Sequence, residues 1–152
     1  MSTFTTPPPK VTSRAKLALG FMTFLLRRGW MGAASDILMV ITTTGRKSGK
    51  EYSIPIGYLR DSNDIIVLSS ANPSNWFRNV IANGRATLEI KKEKFDVQGE
   101  LITDEAERQR IFSMYRQNQK YFKSNFGLEL NSPENELQAA LAKRRFIRFK
   151  KI

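Results

Sequence analysis

The chain has 152 residues, 41% of them hydrophobic and 11% aromatic, which suits one globular domain with a proper core. Twenty-five Lys and Arg against 14 Asp and Glu leave a formal charge of +11, so the surface should attract anions such as phosphorylated ligands, nucleic acid or an acidic membrane face. Neither Cys nor His occurs, which excludes disulfides, thiol nucleophiles, Ser-His-Asp hydrolysis and His-based metal centres, fits a reducing cytoplasm, and leaves an organic cofactor to carry any chemistry.

The charge is uneven. Residues 1–50 hold eight basic side chains and one acidic, Asp36. Within them, residues 1–12 read as a flexible leader, because the run Pro7-Pro8-Pro9 propagates neither helix nor ladder. A helix is expected over about 13–28, and residues 13–152 should form one domain. Its apolar run Leu17–Leu26 lies between Arg14 and Lys16 on one side and Arg27 and Arg28 on the other. At roughly 15 Å that run is half a bilayer core, too short to span it. Two readings remain open: a helix packed on the core, or an amphipathic helix lying in the interface of an anionic membrane, peripheral on its inner face.

From residue 36 the periodicity changes to two. Ile37–Thr44, Tyr52–Leu59 and Ile65–Ser70 are β-branched and apolar, separated by the turns RKSGK and RDSND, and are expected as a three-stranded antiparallel meander. Residues 73–83 place Trp76, Phe77, Val80 and Ile81 at helical spacing before Gly84. Residues 85–92 and 94–102 alternate as a further hairpin. Asp104 should cap one long helix running to Gly127, with Ile111, Met114, Tyr115, Phe122 and Phe126 as its apolar stripe. Ser132-Pro133-Glu134 opens a short helix with Pro at the first helical position, and the closing RFIRFKKI reads as a basic strand. The whole is α+β, mainly β with helices: a closed or half-closed barrel of about six antiparallel strands.

The stretches TTTGRKSGK, IPIGYLRD, IIVLSS and NPSNWFRNVIANGRATLEI resemble the deazaflavin (coenzyme F420)-dependent nitroreductase family, from about Leu38 to Tyr121. The resemblance implies the split β-barrel shared with FMN-binding, pyridoxamine-phosphate-oxidase-like proteins. It also implies hydride transfer from reduced coenzyme F420 to a quinone, nitroaromatic or enone acceptor, and it admits a homodimer.

Read from its residues alone, the 45–50 turn is either a solvated hairpin or an anion cradle. Gly45 and Gly49 would let backbone N–H groups converge, Ser48 adds a hydroxyl, and Arg46, Lys47 and Lys50 supply charge. The resemblance assigns this turn to the phosphate-bearing tail of the coenzyme, with Lys47 foremost and Arg46, Ser48, Gly49 and Lys50 beside it. By the same resemblance Pro55 and Ser70 lie next to the cofactor, Arg78 is a further candidate for phosphate, and Tyr115 and Tyr121 are the candidate catalytic tyrosines of the acceptor pocket. Phe122 and Trp76 would complete that pocket. Two positions where the family carries cations are Tyr52 and Ala71 here, which keeps FMN as the alternative cofactor. A non-catalytic cofactor carrier is a second alternative. A nucleic-acid interface is not expected, because the basic residues gather in leader, turn and tail instead of along one strand face with aromatics.

Overall fold

A computed structural model describes residues 4–152; the first three residues of the expected leader lie outside the described residues. Helix α1, Ser13–Arg28, begins where Thr12 accepts the Ala15 N–H and occupies the predicted range. One of its faces bears out the packed reading. Thr23 and Leu26 are buried against strands β1 and β2, Leu38–Thr44 and Glu51–Gly57, and Arg27 is pinned to Glu89 and Ser53. Leu17, Phe21 and Phe24 point away from the sheet, 77%, 63% and 43% exposed. Among the described residues no helix is long and apolar enough to cross a membrane.

Strands β1 and β2 pair antiparallel from Leu38↔Gly57 to Thr44↔Glu51. Here the expected meander stops. The chain turns at Tyr58, whose N–H donates to Ile37 O, and a short β3, Leu59–Asp61, pairs with β4, Asp64–Leu68. Strand β4 bonds to β3 and to the C-terminal β7, Phe146–Lys151, and not to β1 or β2. With the hairpin β5, Arg85–Ile90, and β6, Glu93–Leu101, the order across the sheet is β2-β1-β5-β6-β7-β4-β3. This is a curled antiparallel half-barrel of seven strands, one more than expected because Leu59 and the first two residues of the RDSND turn pair as a strand of their own. Pro55 is tolerated because β2 is an edge strand, where a missing N–H costs little.

Local alternation cannot tell which strand neighbours which. Burial on two faces does. Along β4, Ile65 and Val67 enter one apolar cluster with Met39, Ile41, Phe77 and Leu88, whereas Ile66 enters a second with Phe112, Tyr115, Phe122 and Phe146. Strand β7 divides likewise, Ile147 and Phe149 inward and Phe146 outward. Strands with apolar side chains on both faces belong in the middle of the sheet, so β7 inserts between β6 and β4.

Helix α2, Asn75–Asn83, covers the first cluster through Phe77 and Val80. It sits close because residue 99 on β6 is Gly: a Cβ there would meet Val80 Cγ1 at 2.7 Å and Phe149 Cε1 at 3.0 Å. The expected long helix from 104 to 127 is two helices, α3, Glu105–Tyr115, and α4, Gln119–Phe126. Asn118 interrupts it by accepting the Tyr121 N–H at 3.0 Å and capping α4, a task Asn performs better than it extends a helix. Helix α5, Glu134–Ala142, starts with Pro133 as its cap, one position before the place expected for it.

Candidate functional site

The turn between β1 and β2 is closed by its own backbone. Gly45 N–H donates to Lys50 O at 2.7 Å and Gly49 N–H to Gly45 O at 2.9 Å, with Gly49 at φ +71°. A side chain at 45 would strike Ser48 Oγ and the Tyr52 ring, at 2.5 and 2.9 Å. Arg46 N–H goes to Asn79 Oδ1 at 3.2 Å. Two of the amides expected to converge on an anion are therefore used within the hairpin and a third by Asn79 of α2. Ser48 is likewise engaged: its hydroxyl lies 3.1 Å from Tyr52 Oη and accepts the Lys50 N–H. What the turn presents is side-chain charge.

Helix α2 meets that turn with amides and a cation. The Arg46 guanidinium donates to Asn79 Oδ1 at 2.8 Å and to Asn75 Oδ1 at 3.2 Å, while the buried Asn79 donates on to Thr43 Oγ1. Arg78, 5% exposed, donates from Nε to Pro73 O at 2.8 Å and from Nη2 to Asn72 Oδ1 at 2.9 Å. Its pKa is lowered by burial first and then by the charges of Arg46 and Arg145, yet a guanidinium stays protonated. Among the described residues no carboxylate pairs with Arg46, Lys47, Arg78 or Arg145. Cations gathered without an acidic partner make this a candidate anion site. A cavity of about 420 Å³ opens beside them, lined by Arg46, Lys47, Arg78, Ile81 and the leader from Phe4 to Pro8.

The other predicted positions are spread around the sheet. Pro55 is buried on β2. Ser70 lies beyond the end of β4, exposed, donating to Asn72 O at 2.5 Å, so it touches the Arg78 loop. Lys50 is exposed at the end of the turn. Tyr115 and Tyr121 are brought together, but in the second apolar cluster and not at the cationic cavity. Tyr115 is 1% exposed, so a ligand meets its ring only after a neighbour moves. Phe122 is fully buried beside it, and Trp76 packs on the first cluster. Tyr121 is half-buried and donates to Tyr58 O at 2.9 Å. Burial raises the pKa of both phenols, which therefore stay protonated.

Arg145, Asn72 and Phe4 escaped the sequence reading. Arg145 was visible only as one more charge in a basic tail, Asn72 as a loop residue, and Phe4 as part of a leader. A second cavity, of about 500 Å³, lies between β6, α3 and α5; Arg108 there is committed to Leu141 O and Arg144 O, and no predicted site residue lines it.

Residues 27–126, two thirds of the chain with the turn, α2 and both tyrosines, match the family of F420H(2)-dependent quinone reductases. The chain belongs to that family. Membership implies coenzyme F420 as cofactor and lends no support to the FMN alternative. The cation cluster fits the phosphate-bearing tail of such a coenzyme, since it offers charge without an internal counter-ion. Rv3178 of Mycobacterium tuberculosis, provisionally named an F420H(2)-dependent quinone reductase, is 30% identical over 79 residues, 49% of this chain and 65% of that one. The chain thus spans less than two thirds of the length of this curated relative. An F420-H2 dependent reductase (FDR-A) superimposes with a TM-score of 0.51 at 20% identity, over 74% of this chain and 93% of its own. The conserved hypothetical protein Rv2991 of Mycobacterium tuberculosis superimposes with a TM-score of 0.55 at 15% identity, over 96% and 86%, and a structure described as a domain-swapped dimer with 0.55 at 17%, over 91% and 100%. At these identities the superpositions establish the split-barrel fold.

Proposed function

We propose that this protein reduces a quinone at the expense of reduced coenzyme F420, with nitroaromatics and enones as further acceptors of the same flat, conjugated kind. The observation that carries the reading is the Arg46–Lys47–Arg78 cluster, free of carboxylates among the described residues, beside a cavity in a member of this family. The chemistry available with the coenzyme bound is transfer of a hydride, two electrons and a proton, to the acceptor, which takes a second proton from solvent to become the hydroquinone.

The chain's own part is placement. Lys47, Arg46, Lys50 and Arg78 hold the anionic tail, with Ser48 and Gly49 shaping the turn, while Pro55 and Ser70 flank the cofactor. Tyr121, and Tyr115 through it, orient the acceptor instead of activating it, because the Tyr121 hydroxyl already donates to Tyr58 O and Tyr115 is buried. Residues 13–152 act as one unit. A homodimer is part of the proposal, as is work in the cytoplasm at the inner face of a membrane. There the exposed Leu17, Phe21, Phe24 and Trp30, with Arg14, Lys16 and Arg28 around them, would seat α1 among anionic headgroups and bring a lipid-borne quinone within reach.

Fluorescence titration with coenzyme F420 tests the site. Lys47→Ala should weaken binding by about 1–3 kcal/mol, the range for a lost charged hydrogen bond. Unchanged affinity removes the turn from the site, and no turnover of menadione by the coenzyme-loaded protein removes the activity.

A further inference from the structure

Residues 4–8 lie across the cations instead of trailing into solvent. The Phe4 ring stands edge-on to Phe77, centroids 6.0 Å apart and planes at 74°. Its centroid is 4.7 Å from the Arg78 guanidinium carbon and 5.4 Å from that of Arg145. Asn72 ties the leader to the same arginine: its Nδ2 donates to Pro7 O at 3.0 Å while its Oδ1 accepts from Arg78. Of the ten residues around the 420 Å³ cavity, five come from the leader, Phe4 to Pro8, and face Arg46, Lys47 and Arg78. An anion reaching those cations would lie beneath the leader.

Such a cover has two physical effects. An apolar wall of Phe and Pro displaces water from one side of the guanidiniums, and a charge pair is worth more in the lower effective dielectric. The ring also holds two guanidiniums against its faces, which fixes their planes before a ligand arrives. Three consecutive prolines make the strap cheap to order, because their φ angles are already restricted in the unfolded chain. Phe4 and Arg145 both fall outside residues 27–126, so family membership does not account for them.

We propose that residues 4–8 form the outer wall of the anion subsite, that Phe4 and Arg145 position the buried Arg78 for the phosphate-bearing end of the ligand, and that this wall selects ligands possessing that end. The identity of the ligand rests on the function proposed above; the wall rests on the contacts of Phe4 and Asn72.

The experiment is titration of the full chain and of Phe4→Ala with coenzyme F420 and with the deazaflavin riboside that lacks the phosphate, at low and high salt. Phe4→Ala should bind the coenzyme about tenfold more weakly and lose affinity faster with salt, while binding the riboside as the parent does. Phe4→Leu, which keeps the bulk and loses the π-face, should fall between. Equal or tighter coenzyme binding by Phe4→Ala overturns the proposal, the tighter case making the leader a plug. An equal loss for the riboside also overturns it, since Phe4 would then only support the fold. Should the parent bind neither deazaflavin, the functional reading fails, and thermal stabilisation by inorganic pyrophosphate judges the wall alone. A shift in the parent that is lost in Phe4→Ala upholds it, and no shift, or the same shift in both, rejects it.

Discussion

Tyr115 and Tyr121 lie ring on ring, centroids 5.6 Å apart and planes 14° from parallel, although one ends α3 and the other sits in the first turn of α4. On a continuous helix six residues would separate them by roughly 240°. The interruption at Asn118 is what lets both face the same space, and Tyr115 is stacked further on Phe146. Tyr115→Ala should therefore cost about 3–5 kcal/mol of folding stability, as truncation of a buried aromatic does. Tyr121→Phe, losing one hydrogen bond to Tyr58 O, should cost about 0.5–1.5 kcal/mol and reduce turnover only modestly. Urea unfolding of both variants measures this, and a Tyr115→Ala protein as stable as its parent would refute the packing role.

Asn79 holds Arg46 in place without lining the cavity. It accepts from both the backbone and the side chain of Arg46 and donates to Thr43. Asn79→Ala should destabilise by about 1–3 kcal/mol through unpaired groups and also weaken coenzyme binding. Asn79→Asp keeps the acceptor but sets a carboxylate against Arg46, so the loss of anion affinity should exceed the loss of stability. Binding and unfolding measured on the same preparations separate the two.

Acid should unfold the protein from the β3–β4 side. Arg148 on β7 bridges Asp61, Asp64 and Glu107, and Arg110 adds to Asp61 and Glu107. Hydrogen bonds from Arg110 chiefly, opposed by burial and assisted by Arg148, hold the Asp61 and Glu107 carboxyls below their ordinary range. Their ionised forms stabilise the fold fully above the unfolded-state values, about 4, and that contribution is lost as pH falls through the lower folded-state values. Asp61→Asn should flatten the acid limb of a stability-against-pH curve, while stability near pH 7 falls. An unchanged limb would show that these pairs are too screened to matter.

The outward face of α1 can be tested without unfolding what lies beneath it. Leu17→Ser with Phe21→Ser removes mostly exposed apolar surface, whereas deleting residues 1–28 would also strip the Thr23–Leu26 face off the sheet. The parent should sediment with anionic vesicles and the double variant should remain in solution, with equal circular dichroism. Co-sedimentation of both, or a parent whose face is covered by a second copy in light scattering, argues against lipid as the occupant.

Gly99→Ala should destabilise by about 1–3 kcal/mol, because the new methyl overlaps Val80 and Phe149 and α2 must lift from the sheet. Since α2 carries Arg78 and Asn79, coenzyme affinity should fall in parallel. Stability lost with affinity intact would mean that α2 yields somewhere other than at the site.

What the sequence determined by itself is local and chemical. The absence of Cys and His, the GRKSG turn between β-branched runs, the bounds of α1, the hairpin of β5 and β6 and the cap at Asp104 all depend on neighbours within a few residues. So does the turn chemistry that carried the family resemblance. Tertiary structure alone decided the rest. Which strands adjoin depends on burying both faces of β4 and β7, a demand met by residues some eighty positions apart, such as Ile65 and Phe149. The proposed anion site depends on the same closure: Arg46, Arg78 and Arg145 come from a turn, a helix and the entry to the last strand. No spacing in the chain announces their meeting, because loop closure over such distances is driven by the apolar core and the cations are carried along with it.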